Sequence, residues 1–148
     1  MNLTHSLIVM MIGSFLIQFV IMSLIMANTF TNTRSSIGKF YISIIMALLM
    51  GILEVLMYDY HMGSISVMYY LFLGLLLCTF SYLYREQMYI YDKDYLNEMI
   101  EHHSMALLTS ESILEKTESE RVKRLAENII STQRSEIEYM GKLLNTIS

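Results

Sequence analysis

Proline and tryptophan are absent from the 148 residues, and glycine occurs only six times. Those two turn formers punctuate sheets and break helices, so their scarcity favours long uninterrupted helices over short strands joined by tight turns. A single cysteine, Cys78, excludes an intramolecular disulfide and any CxxC redox or zinc motif. Charge is almost missing from the first half. Residues 1–84 carry only Arg34, Lys39, Glu54 and Asp59, which cancel. No basic stripe or patch occurs anywhere, which argues against a nucleic-acid partner.

What fills the first half is apolar. Three runs, at about 7–28, 40–58 and 65–84, each approach the ~20 residues that a helix needs to cross a bilayer core. The first run is too long for a cleavable signal peptide and lacks its basic leading segment, so it reads as a retained helix. Tyr58, Tyr60, Tyr82, Tyr84, Tyr89 and Tyr91 cluster at the ends of the runs, where an aromatic belt would lie. Residues 1–84 are therefore expected to form the membrane domain of a multi-pass integral membrane protein, with the lipid bilayer as its partner. Arg34, Lys39 and Arg85 fall on one side of these runs and the loop "DYHMGS" on the other has no Lys or Arg, a bias that puts the C-terminal part in the cytoplasm. Glu54 is a membrane-embedded acid near the end of its run, placed to snorkel to the interface or to pair across the bundle. With Met46, Met50 and Met57 it shares one helical face. That stripe is either a path for a soft metal or ordinary methionine packing.

Residues 85–148 carry eight Lys/Arg and twelve Asp/Glu, the whole net charge of −4. After a connector at 85–91, a helical period begins at Asp92. Leu96, Met99, Ile100, His103, Leu107, Ser110 and Leu114 form one stripe, and Val122, Leu125, Ala126, Ile129, Gln133, Glu136, Ile137, Met140 and Leu144 form a second. "TESE" at 117–120 has the spacing of a capping box with Thr117 as its first member. The link is short, so 92–148 is expected to be an antiparallel helical hairpin, making the chain all-α. A turn centred on residues 117 and 118 would set His102 and His103 level with Thr132 and Gln133, Met99 with Glu136, and Tyr95 with Met140.

This register gathers the polar and sulfur-bearing members of both stripes at one level. Thioether and imidazole together suit copper, Cu(I) above all, which makes Met99, His102, His103 and Met140 the candidate metal ligands. Met105, Gln133 and Glu136 stand as additional or supporting residues. Zinc is the alternative ion and would use the histidines with Glu136. Adjacent helical residues diverge by roughly 100°, so His102 and His103 cannot readily share one ion. His103 pairs with Met99, and His102 leans toward Met105. The competing reading is structural: the hairpin oligomerises and its histidines are hydrogen-bonded to Glu136 and Gln133 in the core. Two amphipathic helices leave apolar surface uncovered, which a second hairpin in a homo-oligomeric four-helix bundle would bury. A dinuclear carboxylate oxidoreductase would need Glu-x-x-His pairs, and none is present. No nucleophile triad, phosphate loop or zinc-protease motif occurs either. The balance of motifs favours a binding protein over an enzyme.

The pattern "YLNEMIEHHSMALLTS" followed by "RLAENIISTQRSEIEYM" resembles domain of unknown function 305, the CopM-like proteins. The shared positions are Met99, Ile100, His102, His103 and Ala106, then Leu125, Ala126, Ile129, Ile130, Gln133, Glu136, Ile137 and Met140. With three preceding apolar runs, the chain is similar to a membrane-anchored branch of that family. The resemblance implies a ferritin-like helical fold, copper binding or copper resistance, and an extracytoplasmic hairpin, the side opposite to the one the charge bias selects. Two positions depart from the pattern. Glu101 stands where many relatives have proline, and Thr109 where others have a methionine.

Overall fold

The structure is a computed structural model and describes residues 2–147. Among the described residues it is all-α, without strands. Its five main helices are α1 Leu3–Met26, α2 Ile37–Met62, α3 Val67–Arg85, α4 Asp92–Leu114 and α5 Glu120–Ile147. A short 3-10 turn at Phe30–Asn32 lies between α1 and α2. The chain divides into two compact units. One comprises residues 2–21 and 37–89, and the other residues 22–36 and 90–147.

Helices α1, α2 and α3 are each long and apolar enough to cross a membrane, at 24, 26 and 19 residues; residues 3–21 of α1 form the first unit with α2 and α3, and the last residues of α1 belong to the second. They begin and end somewhat differently from the three apolar runs because caps, not hydropathy, set their ends. Asn2 Oδ1 accepts the Thr4 N–H at 3.3 Å and starts α1 ahead of its run. Helix α2 continues to Met62 and stops at Gly63, whose φ of 64° lets the Ser64 N–H reach back to the Asp59 carbonyl at 3.3 Å. The Asp59 carboxylate then accepts both the backbone N–H and the hydroxyl of Ser66, each at 2.7 Å, and so anchors the start of α3. At the far end of α3 the same six-to-one closure recurs from Met88 N–H to the Leu83 carbonyl at 2.9 Å, with Gln87 at φ 51° in the place glycine usually takes. The Tyr41 hydroxyl donates to the Met88 carbonyl at 3.1 Å and ties this turn to α2.

The core of this unit is a line of Leu3 and Leu7 from α1, Leu48 and Val55 from α2, and Leu73 from α3. Helix α1 can lie close to α2 because Gly51 has no side chain. A Cβ there would stand 3.1 Å from Met11 Cγ and 3.2 Å from Leu7 Cδ1. The outward faces are apolar as well, with Ile12 56% and Leu75 68% exposed. Such helices are apolar all round. Glu54 does pair across the bundle, since the Ser6 hydroxyl donates to its Oε1.

In the second unit, α4 and α5 pack as an antiparallel pair along the two apolar stripes. Leu96, Ile100 and Met140 are buried together, with Met99, Ile137, Leu143 and Leu144 around them. The register corrects the sequence-based expectation. Thr117 does not cap α5; its Oγ1 accepts the Ser119 N–H at 3.2 Å, and the first helical bond runs from Lys123 N–H to the Ser119 carbonyl at 2.9 Å. The connection occupies residues 115–119. His103 meets Glu136 instead of Thr132 and Gln133, and Glu111 meets Arg134. Residues 22–36 belong to this unit and pack on α4.

The close approach at Gly51 gives a test. Gly51→Ala is expected to be tolerated, because the nearest atoms belong to the flexible Met11 and Leu7 side chains and not to backbone. Gly51→Leu should cost about 1–3 kcal/mol by overpacking, read as a lowered unfolding temperature in detergent. Equal melting of Gly51→Leu and wild type would show that α1 does not pack on this glycine.

Candidate metal centre in the hairpin

His103 lies at the middle of α4 and is the most constrained of the candidate ligands. Its Nδ1 is 2.7 Å from the Met99 carbonyl one turn earlier. A carbonyl oxygen only accepts, so Nδ1 must carry the hydrogen. Helical spacing makes this contact available, because residue i+4 stands over the carbonyl of residue i. The other nitrogen, Nε2, faces Glu136 Oε2 at 3.0 Å. The His103 side chain is only 14% exposed, whereas that of Glu136 is 48% exposed. The ring is thus held by the backbone on one edge and turned toward a carboxylate on the other. Its Nε2 either gives a second proton to that carboxylate or, when bare, presents a lone pair beside it.

Met99 and Met140 are brought into the same apolar cluster, with Met140 8% exposed. The expected pairing of Tyr95 with Met140 gives way to Met140 among Leu96, Ile100 and Met99, as the shifted register requires. Gln133 is half-buried on α5, one turn before Glu136. His102 is exposed and does not join this cluster, and Met105 is half-buried outside it. Thr109 turns its hydroxyl back to the Met105 and Ala106 carbonyls at 3.1 and 3.2 Å, satisfying its own helix. Among the described residues, no group of three or more His, Cys, Asp or Glu gathers around one point. Glu54 belongs to the other unit.

A second polar constellation, which sequence reasoning passed over, supports the same stretch of α4. The segment 22–36 straps across it. Glu101 accepts the Ser23 hydroxyl through Oε1 and the Arg34 backbone N–H through Oε2, each at 2.7 Å. Three residues on, the fully buried Ser104 hydroxyl donates to Asn28 Oδ1 at 2.7 Å and accepts the Asn28 N–H at 2.8 Å. The π-helical stretch Ile17–Met22 immediately precedes Ser23. Glu101 stands where many relatives in the resemblance have proline, and Ser104 lies one turn after Ile100. Those were the readable signals of a polar contact on this side of α4.

Comparison with known proteins follows the same division of the chain. Residues 86–148 match the family model described as Domain of unknown function (DUF305). An uncharacterized protein of Acanthamoeba polyphaga mimivirus is 32% identical over 139 residues, covering 94% of this chain and 91% of that protein. No solved structure matches the chain.

The strap gives a direct prediction. Glu101→Ala removes the acceptor for two donors, and hydrogen bonds to a charged group are worth about 1.5–3 kcal/mol each. Amide hydrogen exchange over residues 23–36, followed by mass spectrometry, should then quicken on the order of tenfold or more, with Glu101→Gln intermediate. Unchanged exchange would mean that the strap is held by other contacts.

Proposed function

The chain belongs to the family of domain of unknown function 305, and we propose that within it this protein is a membrane-anchored metal-binding protein that holds copper in its C-terminal hairpin. One observation carries the reading: His103 is oriented by the Met99 carbonyl so that Nε2 points out of α4 beside Glu136. Ligating histidines are commonly fixed in this way, one ring N–H on a backbone carbonyl and the other nitrogen left for the ion. Met99 and Met140 supply soft sulfur from the same cluster, and imidazole with thioether fits Cu(I). Glu136 makes zinc the rival ion. Bound at this level, copper would join α4 to α5 through side chains, a role in homeostasis or sequestration that requires no turnover. His102 and Met105 are left for a second, outer contact. The ferritin-like likeness of the hairpin belongs to this same reading.

The multi-pass anchor is part of the proposal. Three apolar helices support it, and so does chain connectivity. Three crossings leave the link between the first and second helices on the same side as everything after the third. The strap of residues 22–36 on α4 needs that arrangement.

A structural reading has its own support in the His103–Glu136 contact, which forms at 3.0 Å without any metal. The two readings part in a competitive Cu(I) titration of the full chain in detergent. The metal reading expects about one Cu(I) per chain, bound in preference to Zn(II), and at least a tenfold loss of affinity in Met99→Ala/His103→Gln. Undiminished affinity in that variant, or zinc displacing copper, would overturn it. The structural reading expects His103→Gln to lower stability by about 1–3 kcal/mol with no effect of metal on melting.

A further inference from the structure

Helical spacing of roughly 100° per residue, anchored by the His103–Glu136 and Glu111–Arg134 contacts, sorts the hairpin into two broad faces. One carries Glu101 with the strap, Glu111 with Arg134, and, on the same side of α5, Lys123, Glu127 and Glu138. The other carries Ile113 from α4 and Val122, Leu125, Ile129, Leu143 and Ile147 from α5. Several of these are open to solvent: Leu125 is 59%, Ile147 48% and Ile113 41% exposed. Between residues 95 and 114 of α4 and between 122 and 147 of α5, this face holds the carboxylate of Glu136 beside His103 and the exposed His102, with Glu98 at its edge, and is otherwise poor in charge.

We infer that this face is the docking surface for the hairpin of a second copy of the chain, the two hairpins closing into a four-helix bundle. Charge decides the occupant. A partner that covers a charge-poor apolar face must offer one in return, since an unpaired charge buried against it would be costly. The same face of another copy meets that demand, and such self-complementary contact is what a twofold axis produces. Copies held in one bilayer, as in the proposed anchor, also meet in a common orientation. The docking argument itself rests on the face and not on the metal. Its geometry has one further consequence. His103 is the central residue of α4. A twofold along the helices, as copies held in one bilayer would share, sets the two His103–Glu136 pairs at the same level of the bundle.

The test uses the full chain in detergent, its protein mass read by analytical ultracentrifugation. Wild type is expected to be a dimer without added metal. Leu125→Lys places a charge on the face at a position exposed in the single chain, so the fold should survive, with helix content by circular dichroism as the check. It should weaken dimerisation at least tenfold, and Ile113→Lys on the other helix should do the same. Glu127→Lys on the opposite face should leave the dimer intact. A wild-type monomer would overturn the inference, as would a dimer that persists in both Leu125→Lys and Ile113→Lys. Dimers of that second kind would be joined elsewhere in the chain. Metal binding by a monomer would leave the proposed function standing while removing this one.

Discussion

The hydrogen bond from His103 Nδ1 to the Met99 carbonyl is the constraint on which the functional account depends. It uses a backbone acceptor already committed to the helix, and it takes two freedoms from the imidazole at once. The tautomer is set, because a carbonyl can only accept. The direction of Nε2 is set too, because the ring must lie over the preceding turn. A histidine free to rotate on a helix surface would spread its nitrogen over many positions; this one presents it to α5 at the level of Glu136. Burial of Ile100 and Leu96 on α4 against Met140 on α5 then fixes the level itself. The placement of the site follows from apolar packing and one backbone contact, and its chemistry from the side chains that happen to stand there.

Polarity is divided between the two sides of α4. Toward the strap, polar groups meet in hydrogen bonds: Glu101 takes two donors, and Ser104 and Asn28 exchange two. Such bonds offset the cost of burying polar groups. Residues 22–36 thus read as a structural part of the hairpin unit and not as a mere link between two helices. On the other side, packing is apolar and charge is nearly absent, which is where the docking face lies. The first unit follows a different rule. Its core is narrow and its outward surface is apolar; Asp59 serves Ser66 at the start of α3, Glu54 takes the Ser6 hydroxyl, and the buried Ser43 bonds back to the Lys39 carbonyl within α2.

How much of this was legible in the sequence depended on the length scale of each signal. Periodicity and apolar runs are summed over many residues, so the all-α character, the three long apolar helices and the hairpin emerged from sequence alone. Register is decided by a few residues, and there the capping-box pattern at Thr117 misled. Thr117 bonds the Ser119 N–H in a local turn and α5 begins at Glu120, while His103 meets Glu136. His103 and Glu136 are in contact, and Met99 and Met140 share the apolar cluster, because a change of level by a few residues leaves each side chain on its own face. Separation of His102 from His103 could be read from the angle between adjacent helical residues. The strap could not, since Ser23, Asn28 and Arg34 lie far from Glu101 and Ser104 in sequence and carry no periodic pattern of their own.

The central claim is that His103 offers Nε2, together with methionine sulfur, to a copper ion. X-ray absorption of the Cu(I)-loaded chain reads the ligand atoms directly. The account predicts both nitrogen and sulfur in the nearest shell, with the nitrogen contribution lost in His103→Gln and the sulfur contribution reduced in Met140→Leu. A shell of nitrogen and oxygen alone, or a spectrum unchanged by either substitution, would contradict it.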